Sequence, residues 1–396
     1  MFFSGRIAET LSGRTSAFWL TVAALGLGIP LSPAFSHGGS AEEFFLPVFA
    51  ASMYIVLKAM HDHRPLSRGS GYLLGIFAAA ALWTKYTFCG LFAGLALAVS
   101  VWYLCDHMGK DLPRLIFRVL AGAIVLSAAV LAWYLIRGAL PALWKAYFVD
   151  NLTRYTQNIR GGNYTDPLPN LLNNPTWSVP AMVGLAGLLL SIRTKWRELT
   201  AVLLSSAALF WFTYASGRKY PYYAMVMACF APVGFGMLFH LIPAVLGSRK
   251  RFQRSAAVLG MAVAVISPLI AYHGSSNVYL MDISRMETPQ YRFGEIIRQA
   301  EDSSLLNYGF LDGGYYLAAQ SQPATRFFCT LNNDLPEMTA EHNAAIAEGK
   351  TAFVVTRSRQ LKNARNYRLV DEYSMVFEGR SWKYYLYQRK DIEEEP

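Results

Sequence analysis

Residues 87–105 read TFCGLFAGLALAVSVWYLC, a run that contains no charged side chain. A helix needs roughly 20 apolar residues to cross a hydrocarbon core about 30 Å thick, so this run predicts a membrane-spanning helix. The composition of the 396-residue chain agrees, because 54% of its residues are hydrophobic and only 16% are charged. Soluble proteins average roughly 25% charged residues. The sequence therefore predicts an integral membrane protein.

The same criterion predicts about nine spans, which makes the chain an α-helical polytopic membrane bundle. They lie near residues 16–35, 44–60, 70–84, 87–105, 119–136, 177–192, 199–215, 222–246 and 255–273. Prolines inside these spans are compatible with a bundle, since neighbouring helices can satisfy the freed carbonyl groups. Residues 1–273 are thus assigned to the transmembrane bundle. Within it, residues 137–176 form an amphipathic outer segment, whose first half we expect to be a helix on the outer surface of the bilayer and whose second half, from Gly161 to Pro175, is a loop rich in Gly, Asn and Pro.

Residues 274–396 have the patterns of a small soluble α/β domain. Two segments have helical periodicity, and three short runs are rich in β-branched and aromatic residues, as strands are. The helical segments are 289–301 and 337–348, and the strand-like runs are 304–310, 351–356 and 382–388. A second domain is therefore expected after the last span.

The positive charges indicate the orientation of the bundle. Short connections on one side carry clusters such as Arg64 with Arg68, and Lys195 with Arg197. Short basic connections mark the cytoplasmic side. The N-terminus is then inside, and the C-terminal domain lies on the extracytoplasmic side of the membrane. Because these clusters account for much of the net charge of +10, the charge is interpreted as an orientation signal and not as a nucleic-acid interface.

Two acids, Glu42 and Glu43, stand in an outer connection, residues 36–43, that has no Lys or Arg. Carboxylates at the membrane surface can bind a divalent cation or a substrate hydroxyl group. The alternative is a solvated loop whose acids stabilise the N-terminus of the following helix. Both interpretations remain open from the residues alone.

Lys85 lies in a turn between two spans that is so short that its ammonium group must be at the outer membrane boundary. A lysine there can hold a lipid phosphate. It can equally serve as an ordinary anchor at the interface.

The other short outward turn, residues 217–223, combines two cations with three tyrosines. They are Arg218 and Lys219, with Tyr220, Tyr222 and Tyr223. The cations suit a phosphate or pyrophosphate group, and the tyrosines suit a sugar ring or the membrane interface. An aromatic belt flanked by cations is the alternative interpretation.

Together these segments resemble bacterial glycosyltransferases of the GT-C superfamily, in its protein-mannosyltransferase-like and aminoarabinose-transferase-like branch. The resemblance is carried by GGSAEEFFLP at 38–47, by GYLLG at 71–75 and by LWTK at 82–85. The turn at 217–223 and the outward C-terminal domain extend it over most of the chain.

The resemblance implies an inverting transfer of a sugar from a polyprenyl-phosphate carrier to a cell-envelope acceptor, on the outer face of the bacterial cytoplasmic membrane. It matches Glu42 to a loop acid of these enzymes and Lys85 to the cation that holds the carrier phosphate, with Arg218 assisting. The expected partners are the polyprenyl-phosphate-linked sugar donor, an unidentified envelope acceptor and the lipid bilayer. No cofactor is certain, although a divalent cation at the acids is compatible with the resemblance.

The chain departs from the family pattern at its N-terminal end. Its first apolar run corresponds to a later span of these enzymes, so a first outer loop with a further acid is missing. From this we expect a truncated enzyme of weak or no activity. Two other functions stay open, namely a transporter or lipid flippase, and a non-catalytic subunit that binds the carrier lipid.

Overall fold

The computed structural model describes residues 1–36, 38–153, 167–215, 217–246, 250–330, 335–362, 365–377 and 379–390. The chain divides into two compact units. The first comprises Met1–Ala146 and Ile159–Val278, and the second comprises Tyr147–Asn158 and Tyr279–Pro396.

The first unit is helical. Its α-helices are α1 (Phe2–Ser12), α2 (Thr15–Gly28), α3 (Ala41–His61), α4 (Arg68–Thr84), α5 (Cys89–Cys105), α6 (Leu112–Ile136), α7 (Leu140–Leu143), α8 (Leu168–Leu172), α9 (Pro175–Leu190), α10 (Ile192–Tyr214), α11 (Ala231–Leu246) and α12 (Lys250–Gly274). Two 3₁₀ segments, Tyr86–Phe88 and Pro221–Phe230, lead into α5 and α11.

Five helical segments of the described residues are long and apolar enough to cross a membrane. They are Ala41–His61, Tyr86–Cys105, Gly109–Ile136, Pro221–Leu241 and Arg254–Gly274. The shorter helices α2 and α9 are also apolar. The predicted polytopic helical membrane fold is thereby confirmed. Helices α4 and α10 coincide with the two remaining predicted spans, and that all nine segments cross the bilayer stays a prediction.

Helix α1 was not predicted, because residues 1–15 contain several polar residues. The structure places Ile7, Ala8 and Leu11 on a fully buried face of this helix. The spacing of these residues puts them on one side of a helix, and that side packs against α2, α3 and α11.

Helices α4 and α6 run parallel and touch through glycines. A Cβ atom at Gly75 would lie 2.0 Å from the carbonyl oxygen of Val119, and one at Gly122 would lie 2.1 Å from that of Tyr72. Small residues allow membrane helices to approach this closely. The first turns of α4 and α6 are therefore at the same end of the bundle.

Three phenylalanines fix the start of α3 against the segment that precedes α5. The ring of Phe88 lies 4.9 Å from that of Phe45 and 5.4 Å from that of Phe49, between centroids. All three rings are buried. This packing brings the first turn of α3 close to the end of α4.

The second unit contains a four-stranded sheet, of which three strands were predicted from the sequence of the C-terminal region. Its elements are α13 (Pro289–Gln299), β1 (Leu305–Tyr308), α14 (Tyr315–Ala319), α15 (Pro336–Ala347), β2 (Phe353–Arg357), β3 (Tyr367–Phe377) and β4 (Arg380–Arg389). The strand order is β1-β2-β4-β3, with β1 and β2 parallel and the other pairs antiparallel. Strand β3 was missed, because its exposed positions carry residues such as Arg368 and Glu372 that hide the strand pattern.

The predicted amphipathic segment 137–176 is described in part. It contains α7, a π-helical stretch at Trp144–Asp150, a three-residue α-helical segment at Asn151–Thr153, and α8. Residues 154–166 lie outside the described residues. Its placement on the membrane surface stays a prediction.

Candidate functional site

The candidate site lies at the end of the first unit where α3 begins and α4 and α10 end. The segment Pro221–Phe230 packs against both α3 and α10, and it carries part of the predicted tyrosine cluster. Residues from four separate stretches of sequence therefore meet at one end of the bundle.

Glu42 and Lys85 form an ion pair at the centre of this site. The ammonium group of Lys85 donates to Oε1 of Glu42. Only 2% of the Glu42 side chain is exposed, against 22% of the Lys85 side chain. A carboxylate removed from water to this degree requires a charged partner, so Glu42 and Lys85 depend on each other.

Aromatic rings enclose the Lys85 ammonium group. Its nitrogen lies 3.7 Å from the ring centroid of Tyr223, and 5.9 Å and 5.7 Å from those of Tyr222 and Phe88. The face of an aromatic ring attracts a cation at such distances. Burial nevertheless lowers the pKa of the Lys85 amine below its ordinary value of 10.5, and the Glu42 carboxylate opposes that decrease.

The tyrosines connect Lys85 to Arg218. The rings of Tyr220 and Tyr222 stack with centroids 5.6 Å apart, and Tyr223 packs edge-on against both. Nη1 of Arg218 donates to the hydroxyl group of Tyr220 at 3.2 Å. Six of the eight predicted site residues thus form one continuous contact network.

The other two predicted residues, Glu43 and Lys219, are positioned through the backbone. The amide of Gly39 donates to Oε2 of Glu43 at 2.9 Å, and the amide of Glu43 donates to the Ser40 hydroxyl group at 3.3 Å. These are bonds of a helix N-cap, so the helix-stabilising alternative fits Glu43. The side chain of Lys219 is exposed, and its carbonyl group accepts from the Asn170 amide at 2.9 Å.

Three buried hydroxyl groups near the ion pair were missed by the sequence analysis. Thr87, Thr213 and Tyr214 are each at most 6% exposed, and their hydroxyl groups have no hydrogen-bond partner in the described part of the chain. Tyr214 is close enough to Glu42 for an electrostatic interaction. Buried polar groups are normally satisfied, so this site has unused hydrogen-bonding capacity. The only signal in the sequence was the position of these residues, within a few residues of Lys85 and Arg218.

The described residues do not assemble a divalent-cation site here. No group of three or more His, Cys, Asp or Glu side chains in the described ranges is placed to hold a metal ion. Glu42 is engaged by Lys85 and Glu43 by the Gly39 amide. We therefore assign no reaction step to a metal.

Among solved structures, the fold is similar to that of ArnT from Cupriavidus metallidurans bound to undecaprenyl phosphate. The TM-score is 0.57 at 16% sequence identity, over 97% of this chain and 82% of that chain. No protein-family model matches the chain, and no curated protein matches its sequence. The chain thus has an ArnT-like membrane fold.

Proposed function

We propose that this protein is a membrane glycosyltransferase that uses a polyprenyl-phosphate-linked sugar as its donor. Its acceptor would be a component of the cell envelope, at the outer face of the cytoplasmic membrane. The observation that carries the proposal is the pair of Lys85 and Glu42, held under a tyrosine cluster at one end of an apolar helical bundle.

Lys85 and Arg218 are suited to bind the carrier phosphate together. An ammonium group has three N–H donors and a guanidinium group has five. Glu42 occupies one direction around Lys85 in the structure. The planar guanidinium group of Arg218 matches the geometry of phosphate oxygens, and the tyrosine network links it to Lys85. The unpartnered hydroxyl groups of Thr87 and Tyr214 offer further donors to a bound polar group.

Binding of the carrier would change the chemistry of Glu42. A phosphate that shares the Lys85 ammonium group weakens its hold on the carboxylate, and a buried carboxylate without a full counter-charge is a stronger proton acceptor. Glu42 would then accept the proton of the acceptor hydroxyl group as its oxygen bonds to the anomeric carbon. The bond between that carbon and the carrier phosphate breaks, and its electron pair leaves on the phosphate, which Lys85 and Arg218 stabilise.

The solved neighbour supports the class of carrier. ArnT from Cupriavidus metallidurans, which has a similar fold over 97% of this chain, was solved bound to undecaprenyl phosphate. The cations and the apolar surroundings of the site are what a lipid phosphate requires.

Ionisable residues deep inside the bundle would support a transporter function. Lys195 and Glu198 are buried at 6% and 4% exposure, but they lie in the first two turns of α10. The backbone of Lys195 departs from helical geometry, with φ −125° and ψ 31°. These charges are therefore at a helix end, which does not strengthen the transporter alternative.

The proposal is tested by sugar release from mannosyl and aminoarabinosyl polyprenyl phosphates, using the purified full chain in membrane vesicles with an envelope extract as acceptor. We expect slow but measurable release by the wild type and by Glu43→Gln, and a rate about 10²-fold to 10⁴-fold lower for Glu42→Gln, the usual effect of removing a general base. Equal rates for wild type and Glu42→Gln would contradict the role of Glu42. Tight carrier binding without any release would instead support the non-catalytic subunit.

A further inference from the structure

A second polar site lies at the opposite end of α4 from Lys85. Arg68 is the first residue of α4, and Arg114 and Arg118 are in the first two turns of α6. Together with Tyr72, Pro113 and Phe117 they line a cavity of about 450 Å³. From the rise of 1.5 Å per helical residue, this cavity is about 24 Å from Lys85 along α4.

The glycine contacts between α4 and α6 hold these arginines together. A Cβ atom at Gly71 would lie 3.0 Å from the Cβ atom of Arg118, and the contacts at Gly75 and Gly122 bring the two backbones together one turn further on. Since neither helix can shift without breaking this packing, the arginines of α4 and α6 face one cavity in a fixed arrangement.

The cavity has a strongly positive lining. None of the described residues that line it is acidic. Arg114 has a bonded acid in Asp111, whose Oδ1 lies 3.3 Å from Nη1 of Arg114, and both side chains are more than half exposed. An exposed pair of this kind is weak, so a phosphate can compete for Arg114.

An apolar surface adjoins the cavity along α6. Phe117, Ile124 and Val125 are 67%, 64% and 66% exposed. Phe117 and Ile124 are seven residues apart and so lie on the same face of the helix. Because α6 belongs to a span-length apolar segment of which only 11% is buried, this face is available to lipid.

We propose that the cavity binds one anionic phospholipid. Its phosphate would be held by Arg68, Arg114 and Arg118, since arginine binds phosphate oxygens in bidentate geometry. Its acyl chain would lie along the apolar face of α6 from Phe117 to Ile124. Tyr72, which is 42% exposed, fits the headgroup depth that tyrosine prefers. This site is separate from the Lys85 site and does not depend on the proposed glycosyltransferase function.

The test is native mass spectrometry of the purified full chain in detergent, titrated with dioleoyl phosphatidylglycerol or dioleoyl phosphatidylcholine. We expect one phosphatidylglycerol per chain, bound about tenfold more tightly than phosphatidylcholine. The double variant Arg68→Gln with Arg118→Gln should lower that affinity about thirtyfold, as expected for the loss of two cations next to an anionic lipid. The matched control is Arg64→Gln with Arg193→Gln, two exposed arginines that do not line the cavity, and it should leave the affinity unchanged.

Three outcomes would overturn the proposal. Equal losses in the two double variants would show that the arginines act only through general surface charge. Equal retention of phosphatidylcholine and phosphatidylglycerol would show that the headgroup charge is not recognised. Displacement of phosphatidylglycerol by inorganic phosphate at matched concentration would assign the site to a free anion. Thermal unfolding midpoints equal to that of the wild type establish that both double variants are folded.

Discussion

The Lys85 ammonium group, at the end of α4, binds the Glu42 carboxylate in the first turn of α3, 43 residues earlier in the chain. Neither helix would place a charge in this buried setting without the other, because an isolated charge in an apolar environment is costly. The packing of Phe45 and Phe49 on Phe88 holds the two helix ends in register. The pair is therefore both part of the fold and the centre of the candidate site.

The mutual dependence of Glu42 and Lys85 predicts strong coupling in a double-mutant cycle. Lys85→Met should destabilise the bundle by about 3 kcal/mol, the lower end of the range for breaking a buried pair, because it leaves the Glu42 carboxylate unpaired. Glu42→Gln combined with Lys85→Met should recover much of that loss. Thermal unfolding of the purified chain measures the cycle.

The matched control for this cycle is the exposed pair of Lys58 and Asp62, whose charged atoms are 2.9 Å apart. Lys58→Met and Asp62→Asn should each cost about 0–1 kcal/mol, the usual range for a surface pair. Coupling of equal size in the two cycles would contradict a special role for the buried pair.

The ring of Tyr223 should contribute to carrier binding, because it holds the Lys85 ammonium group in place. Tyr223→Ala should weaken binding of a polyprenyl phosphate about twofold to thirtyfold, since a cation–π contact is worth roughly 0.5–2 kcal/mol. Tyr223→Phe keeps the ring under the ammonium group and should bind as the wild type does. If both variants lose affinity equally, the hydroxyl group and not the ring is what matters.

Carrier binding should weaken as pH rises. This weakening should begin at a lower pH than it would if the carrier phosphate were held by an exposed lysine. Burial lowers the pKa of Lys85 below 10.5, so the ammonium form is lost as pH rises through this lowered value. The Glu42 carboxylate on α3 opposes this decrease in pKa. The rings of Tyr222 and Tyr223, in the segment Pro221–Phe230, also face the Lys85 ammonium group. Lys85→Arg should remove this pH dependence, because arginine stays protonated. A wild-type binding curve that follows the Lys85→Arg curve at every pH would contradict the assignment.

The orientation of the bundle can be tested by labelling single cysteines in intact cells, in a background without the four native cysteines. A membrane-impermeant thiol reagent should label a cysteine at Ser40, next to the candidate site, and should not label one at Ser67, which caps the start of α4. This expectation follows from the basic clusters on the Ser67 side. Labelling at Ser67 alone would invert the topology.

Much of the architecture was predictable because apolar run length and charge placement are local signals. The helices follow the apolar runs, and three of the four strands follow β-branched and aromatic runs. Strand β3 was missed because charged residues at its exposed positions hide the strand pattern. Helix α1 was missed because its buried face packs in part against α3 and α11, which lie further along the chain.

The site was predictable in its residue types but not in its contacts. The sequence placed Glu42, Lys85 and Arg218 at the same predicted membrane face, yet nothing local showed that Glu42 would be bound by Lys85 while its neighbour Glu43 caps the helix. One step along a helix turns a side chain by about 100°, and only the packing of α3 decides which of two adjacent acids is buried. The buried hydroxyl groups of Thr87 and Tyr214 depend on the same packing.

The most direct test of the central claim is the affinity of the purified full chain for undecaprenyl phosphate. It should be measured for the wild type, for Lys85→Ala and for Lys58→Ala at a temperature where all three are folded. The proposal predicts a loss of about tenfold or more for Lys85→Ala, consistent with removal of a charge-assisted bond worth about 1.5–3 kcal/mol, and no change for Lys58→Ala. Equal affinities for the two variants would mean that Lys85 is an interfacial anchor and that the carrier phosphate does not bind at this site.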